Sequence, residues 1–165
     1  MKLRHPSPQD SHTPFAMRYP LFLNLQDQPV VVVGAGQVAA RKIRSLLAAG
    51  AQVTVISPDA RRLPPQVRWR KRRYRSGDLR GAVVVVAATD DFAVNRRVCA
   101  EAKRRRQLVN CITEPAAGNF IVPAVAGYRG VRLAISTGGA APALAKKLRQ
   151  ELERWLRRRY AARHD

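Results

Sequence analysis

The chain of 165 residues has only two cysteines, three histidines, and aromatic residues at 6% of its length. Two cysteines in a chain this size make no disulfide framework, and neither Cys99 nor Cys111 stands in a metal-ligand spacing. Both are expected to be small buried apolar residues without chemistry, and no metal site is expected. No apolar run approaches the length needed to span a bilayer, and the first twenty residues lack the continuous apolar core of a secretory signal. A cytoplasmic protein is the expectation, with residues 1–18, which hold His5, His12 and three prolines, as a disordered leader. Acidic residues are scarce as well: 11 against 31 Lys and Arg, a formal net charge of +20. A field of that sign favours polyanions, whether nucleic acid, an acidic membrane surface or a small polycarboxylate. Most of the excess lies in Arg68–Arg75, Lys103–Arg106 and Arg157–Arg159. The last two runs end expected helices, where cations complement the helix dipole.

What the chain does have is enough apolar residue, 46%, to bury one substantial core. The stretch from Val30 to Lys42 organises it. Four valines enter Gly34-Ala35-Gly36, and the turn opens directly into a helical pattern. A strand, a turn that lets backbone approach a phosphate, and a helix N-terminus aimed at that phosphate begin a dinucleotide site. Val38, Ala39, Ile43, Leu46 and Leu47 recur at helical spacing until Gly50 supplies a C-cap. Gln52 to Ile56 alternates as a second strand, stopped at Ser57-Pro58-Asp59. Val67 to Tyr74 suits a basic third strand with Trp69 as an apolar anchor. Ala82 to Ala88 is almost purely Val and Ala, as a strand covered on both faces requires. Thr89-Asp90-Asp91 then caps a helix that carries Val94, Val98 and Ala102 on one face. Leu108 to Ile112 forms a further buried strand. This alternation predicts a doubly wound parallel sheet over residues 19–113.

Beyond Thr113 the rhythm changes. Residues 114–118 form a loop, 119–123 are short and apolar, and Val131 to Ser136 alternates as a strand. Pro142 suits the first turn of a C-terminal helix whose apolar stripe is Leu144, Leu148, Leu152, Trp155 and Leu156. Residues 114–165 bury too little alone and must pack on the first domain or on a second subunit.

Within the nucleotide unit, Gly34 allows the turn, Gly36 allows close approach, and Ala39 permits tight helix–strand packing. The amides of Gln37 and Val38 would meet the phosphate. Ser57 stands where a ribose-binding acid is usual, with Pro58 and Asp59 following. Asp59 could reach a ribose hydroxyl, or Arg61 and Arg62 a 2′-phosphate; NAD is the choice over NADP. Thr89 and Asp90 lie at the carboxyl end of a strand, the edge where such sheets bind ligands. Ser136, Thr137, Gly138 and Gly139 precede a helix and offer amides to a substrate carboxylate, or simply cap it. Trp69 and Tyr74 interleave with the Arg68–Arg75 run in a way compatible with base stacking, though no recognition helix or RNA-binding motif accompanies them.

Taken together, Gly34–Lys42, Ala87–Asp91 with Val94, Asn95 and Val98, Val109-Asn110, Asn119–Pro123, and Ile135–Gly139 followed by Pro142 resemble the dehydrogenase/ferrochelatase part of siroheme synthases. The resemblance runs from Tyr19 to Trp155. It implies NAD-dependent oxidation of precorrin-2 to sirohydrochlorin, in some members also insertion of ferrous iron, and a homodimer intertwined through the segment after the nucleotide domain. Substrate contacts are expected at Asn110 and Ser136–Gly139; the lack of long apolar runs and of any recognition helix or RNA-binding motif speaks against a membrane or nucleic acid as partner. The family's catalytic aspartate aligns with Thr113, whose hydroxyl is no general base near neutral pH. Glu114 is adjacent, but neighbours on extended backbone point apart, so it could substitute only if the loop turns it inward. Members usually continue into a further helical region; ending at Asp165, this chain is expected to have a more open tetrapyrrole pocket. Dehydrogenase activity is therefore better supported than iron insertion.

Overall fold

A computed structural model describes residues 18–60 and 62–161. Residues 1–17 of the expected leader, and Arg61, lie outside the described residues. Two compact units emerge: Leu23–Val122, and residues 123–161 with residues 18–22.

The first unit holds β1 (Pro29–Val33), α1 (Gln37–Ala48), β2 (Gln52–Ile56), β3 (Arg68–Arg70), β4 (Val84–Ala87), α2 (Phe92–Arg104) and β5 (Leu108–Cys111). The strands form one parallel sheet in the order β3-β2-β1-β4-β5. Parallel pairing demands crossover connections, and the two long helical periods in the sequence supply two of them. Strand alternation divides the core. Val30 and Val32, with Val53, Val55, Val84 and Val86, meet Ala39 and Ile43 of α1 on one face. Val31 and Val33, with Val85, Val109 and Cys111, meet Val98 and Ala102 of α2 on the other. Helices thus cover both faces, as the near-continuous valine runs predict. Each fully buried Val or Ile side chain contributes about 1.5–3 kcal/mol of transfer free energy.

Helix α1 ends as expected. Gly50 takes a positive φ of 78°, Gly50 N–H donates to Leu47 O at 2.9 Å, and Ala51 N–H to Leu46 O at 3.1 Å. These paired bonds are the Schellman closure. The basic third strand is much shorter than Val67–Tyr74: only Arg68–Arg70 pairs with β2, and all three residues are exposed. It is an edge strand, where charge is tolerated because one side faces water.

The first unit extends past the expected boundary at Thr113. A 3₁₀ turn, Pro115–Ala117, returns the chain to β5, where Asn119 covers the open edge. Its Oδ1 accepts from Val109 N–H at 2.7 Å, and its Nδ2 donates to Gln107 O at 2.9 Å. The side-chain amide does the work of a neighbouring strand, so residues 114–122 belong with the sheet.

The second unit contains a hairpin of β6 (Ala124–Tyr128) and β7 (Val131–Ile135), followed by α3 (Pro142–Ala161). Strand β6 escaped the sequence reading because Ala-Val-Ala-Gly-Tyr has little alternation. Helix α3 begins at Pro142 as expected and packs on β6. Its apolar stripe is only partly covered: Leu156 is buried, whereas Leu144 and Trp155 stay about half exposed at 48% and 49%.

Candidate functional site

A cleft of about 1070 Å³ opens at the carboxyl edge of the sheet, bordered by the segments that follow β1, β2, β3 and β4. Ligands of open α/β sheets bind at this edge, where the helices face different sides. Of the cofactor-binding candidates, Gly34, Gly36, Gln37, Ser57, Pro58, Asp59, Thr89 and Asp90 line it. Ala39 does not; it is buried against the sheet, as close helix–strand packing requires. Val38 projects outward and offers only its amide.

The two glycines do different things. Gly34 has φ 105°, its N–H continues the ladder to Ile56 O at 2.9 Å, and a Cβ there would lie 2.3 Å from Ala88 O. Gly36 has no such neighbour: a Cβ would meet nothing within 4 Å. It is the N-cap of α1, with no side-chain cap and no acidic residue in the first turn. The leading N–H groups of α1 therefore face open space at the positive end of the helix, an arrangement suited to a pyrophosphate. These residues fit a dinucleotide.

The β2 end is occupied by its own turn. Ser57 Oγ donates to Asp59 O at 2.6 Å, and Ser57 O accepts from Trp69 Nε1 at 3.0 Å. Trp69 is thus not an apolar anchor: it is 39% exposed, hydrogen-bonded by its ring nitrogen, with Lys71 Nζ 5.5 Å from the ring centroid. Tyr74 is no stacking platform for bases either. Its hydroxyl bonds the Glu101 carboxylate and the residue is 9% exposed, which removes it from the suggested nucleic-acid face.

Arg73, Tyr74 and Arg97 line the cleft without having been singled out for it from sequence. Their loop is pinned by two carboxylates. Asp78 accepts both terminal nitrogens of Arg72 at 2.6 and 2.7 Å and the Arg75 N–H at 2.8 Å. The Arg72 hydrogen bond outweighs burial and holds Asp78 below the usual carboxylate range. Glu101, 3% exposed on α2, accepts from Tyr74, from Gly77 N–H at 3.0 Å and from Arg105 Nε at 2.8 Å. Burial alone would raise its pKa, but the bonds from Tyr74, Arg105 and Gly77 prevail and lower it. A Glu inside a Lys/Arg-rich helix gives no sequence signal of such a role.

At the ends of β4 and β5, Asn95 is the organising side chain. It is 1% exposed; its Oδ1 accepts from Thr89 N–H at 3.1 Å and Thr89 Oγ1 at 2.8 Å. Its Nδ2 donates to Thr89 O at 2.8 Å and Thr113 Oγ1 at 2.9 Å. Asp91 caps α2 through a 3.0 Å bond from Val94 N–H. Thr89 and Thr113, each two residues beyond the end of a strand, are thereby clasped through one buried amide.

Thr113 and Glu114 do not point to opposite sides of an extended strand. The chain turns after β5, and both side chains reach α2: Thr113 meets Asn95, and Glu114 meets Arg96 Nε at 2.8 Å. The Arg96 guanidinium lowers the Glu114 pKa and leaves it a weak base. Neither residue is among those lining the cleft. Asn110 is also diverted: it is 8% exposed, and its Nδ2 donates to Phe120 O at 3.2 Å. In the second unit, Ser136 Oγ accepts from Gly138 N–H at 3.1 Å and Thr137 Oγ1 from Ala141 N–H at 3.4 Å, while Gly138 and Gly139 take positive φ. The hydroxyls serve the turn into α3. Cys99 and Cys111 are both buried, and burial pushes the Cys99 thiol up to about 12, so it is not a nucleophile near neutral pH. Among the described residues no group of three or more His, Cys, Asp or Glu could hold a metal ion, and no helix is long and apolar enough to cross a membrane.

Comparison with known proteins agrees with this geometry. Residues 21–124 match the family model described as putative NAD(P)-binding, and residues 132–154 match that of the sirohaem biosynthesis protein central region. The siroheme synthase of Nitrosospira multiformis is 44% identical over 144 residues, 81% of this chain and 30% of that protein. That of Methylobacillus flagellatus is 42% identical over 140 residues, again 81% and 30%. The chain thus spans about a third of the length of these relatives. Among solved structures, SirC, a precorrin-2 dehydrogenase, superposes with a TM-score of 0.71 at 33% identity, covering 83% of this chain and 70% of that one. With both family models matched in order and a solved precorrin-2 dehydrogenase superposing at 33% identity, the chain belongs to the precorrin-2 dehydrogenase family, the family of the N-terminal part of siroheme synthases.

Proposed function

We propose that this chain oxidises precorrin-2 to sirohydrochlorin with NAD as hydride acceptor. The observation that carries the reading is the open, uncapped start of α1 at Gly36, set in a cleft of dinucleotide size. The relation to SirC supports the substrate. When bound, the nicotinamide ring supplies the hydride-accepting carbon.

The protein's own contribution is placement. The amides of Gln37 and Val38 would take the pyrophosphate, Asp59 the ribose, and the Thr89–Asn95–Thr113 clasp would fix the far end of the cofactor's strand edge. Asn110 and Ser136–Gly139 remain proposed substrate contacts. For Asn110 this use is through its exposed fraction, since its amide nitrogen already holds Phe120. The net charge of +20 would attract a substrate bearing many carboxylates. The substrate's proton would leave to Glu114 or to water. Because Arg96 already engages both Glu114 oxygens, at 2.8 and 3.3 Å, a large basicity is not available there. Insertion of ferrous iron lies outside this reading.

Purified protein mixed with NAD and precorrin-2 should form NADH and sirohydrochlorin together. Glu114→Gln should slow the reaction less than about tenfold, against the 10²–10⁴ expected of a sole general base. An unchanged rate would remove Glu114 from the mechanism. A second reading rests on Thr113 itself, a hydroxyl where a carboxylate is expected: a cofactor- or tetrapyrrole-binding protein with little catalysis. A large gain of rate in Thr113→Asp would favour it. Exposed Leu144, Trp155 and Val125 support a homodimer formed through the second unit; a sedimentation profile showing only monomer at micromolar concentration would refute that part.

A further inference from the structure

The 2′-position of the adenosine ribose is where cofactors of this kind differ, and the cleft's charges address it. In doubly wound sheets that ribose lies at the carboxyl end of the second strand. An acid there takes a 2′-hydroxyl, and a nearby arginine takes a 2′-phosphate. Here no acid stands directly at the strand end. Ser57 is 8% exposed, and its hydroxyl is donated to Asp59 O within its own turn.

Two arginines face the cleft instead. Arg62 comes from the connection between β2 and β3, and Arg73 from the loop after β3. Because β3 pairs with β2 in parallel, both segments border the same carboxyl edge. Among the described residues neither arginine has a carboxylate partner, whereas Arg72 is committed to Asp78. Arg73 is also held in place, with Arg72 tied to Asp78 on one side and Tyr74 tied to Glu101 on the other. Arg97 on α2 adds to the same positive field. The opposing carboxylates are Asp59 by β2 and, after β4, Asp90 and Asp91; Asp91 is occupied as the cap of α2.

We propose that the cleft accepts a 2′-phosphorylated dinucleotide beside NAD, with Arg62 and Arg73 taking the phosphate oxygens and Asp59 serving the 2′-hydroxyl when no phosphate is present. Guanidinium–phosphate bonds are charge-assisted and among the stronger polar contacts, so two arginines offset the repulsion from one exposed carboxylate. The inference rests on the dinucleotide reading of the cleft.

The test is a titration of the whole protein, without substrate, with NADH and NADPH, followed by nicotinamide fluorescence. NADPH should bind within about threefold of NADH, or more tightly. Arg62→Ala combined with Arg73→Ala should weaken NADPH about tenfold or more and NADH by less than about threefold. The two single variants should each lose part of that effect, and their melting temperatures check that the fold is kept. Asp59→Asn should shift preference toward NADPH severalfold. NADPH binding more than about tenfold weaker than NADH overturns the proposal, as does a double variant that loses both cofactors alike or neither. If the unmodified protein binds neither, the dinucleotide reading has failed and takes this inference with it; binding of NADH alone sinks only the inference.

Discussion

Replacing each glycine of the cradle by alanine separates a fold requirement from a ligand requirement. At Gly34, φ is 105°, a conformation that costs an L-residue about 1–2 kcal/mol. The added Cβ would sit 2.3 Å from Ala88 O and 2.6 Å from Ala88 C. Those atoms are backbone just beyond β4, which pairs directly with β1, so they cannot swing aside. Overpacking of this kind costs a further ~1–3 kcal/mol. Gly34→Ala should therefore destabilise the protein by about 2–5 kcal/mol, a fall in melting temperature of roughly 5–20 °C for a protein of this size. Gly36→Ala is predicted to behave in the opposite way. Its φ of −68° is open to any residue, and the new methyl would meet nothing within 4 Å. The melting temperature should fall by no more than about 4 °C, because Ala is a poorer N-cap than Gly by up to ~1 kcal/mol. The methyl would instead occupy the space through which a pyrophosphate reaches the amides of α1, so NADH affinity should fall about tenfold or more. Thermal unfolding and NADH fluorescence titration read the two effects separately. Full NADH affinity in Gly36→Ala would refute the placement of the phosphates, and an unshifted melting point in Gly34→Ala would refute the packing at Ala88.

Two further outcomes follow from the buried polar groups. Asn95→Ala removes an amide making four hydrogen bonds at 1% exposure and strands the Thr89 N–H, so it should cost about 2–4 kcal/mol in chemical denaturation; a double-mutant cycle with Thr113→Val should show coupling, and strict additivity would dissolve the clasp. The folded-state pKa of both Glu101 and Asp78 is lowered, so the stability they contribute is present above the ordinary carboxylate range and is lost as pH falls through it. Unfolding free energy measured from pH ~6 down to ~3 should therefore drop, and Glu101→Gln should flatten that dependence; an unchanged pH profile in the variant would discount the Glu101 cluster.

The local rules served well wherever a residue's partners are its chain neighbours or a regular lattice. Valine runs of strand length, Gly34-Ala35-Gly36, the Gly50 stop and Pro142 each specify backbone geometry within a few residues, and every one of them was legible. The same holds for the cofactor edge, because a strand followed by a glycine turn and a helix places its amides without help from elsewhere. Local periodicity failed where hydrogen bonds run between distant segments. Nothing in Leu108–Phe120 announces that Asn119 will complete the edge of β5, or that Asn110 will be held by Phe120. Tyr74 and Glu101 are 27 positions apart, and their bond pins the loop of the basic run in which Asp78 neutralises Arg72 while Arg73 lines the cleft. Thr113 and Glu114 were open as long as the path after β5 was unknown; the turn there brings both to α2, one to Asn95 and one to Arg96. Side-chain alternation and glycine placement are properties of the chain itself, and they were enough to establish the sheet and the glycine turn at its carboxyl edge. Charge pairing and the direction of a loop depend on which segments meet in space, so the fate of the carboxylates and arginines was settled by the folded arrangement alone.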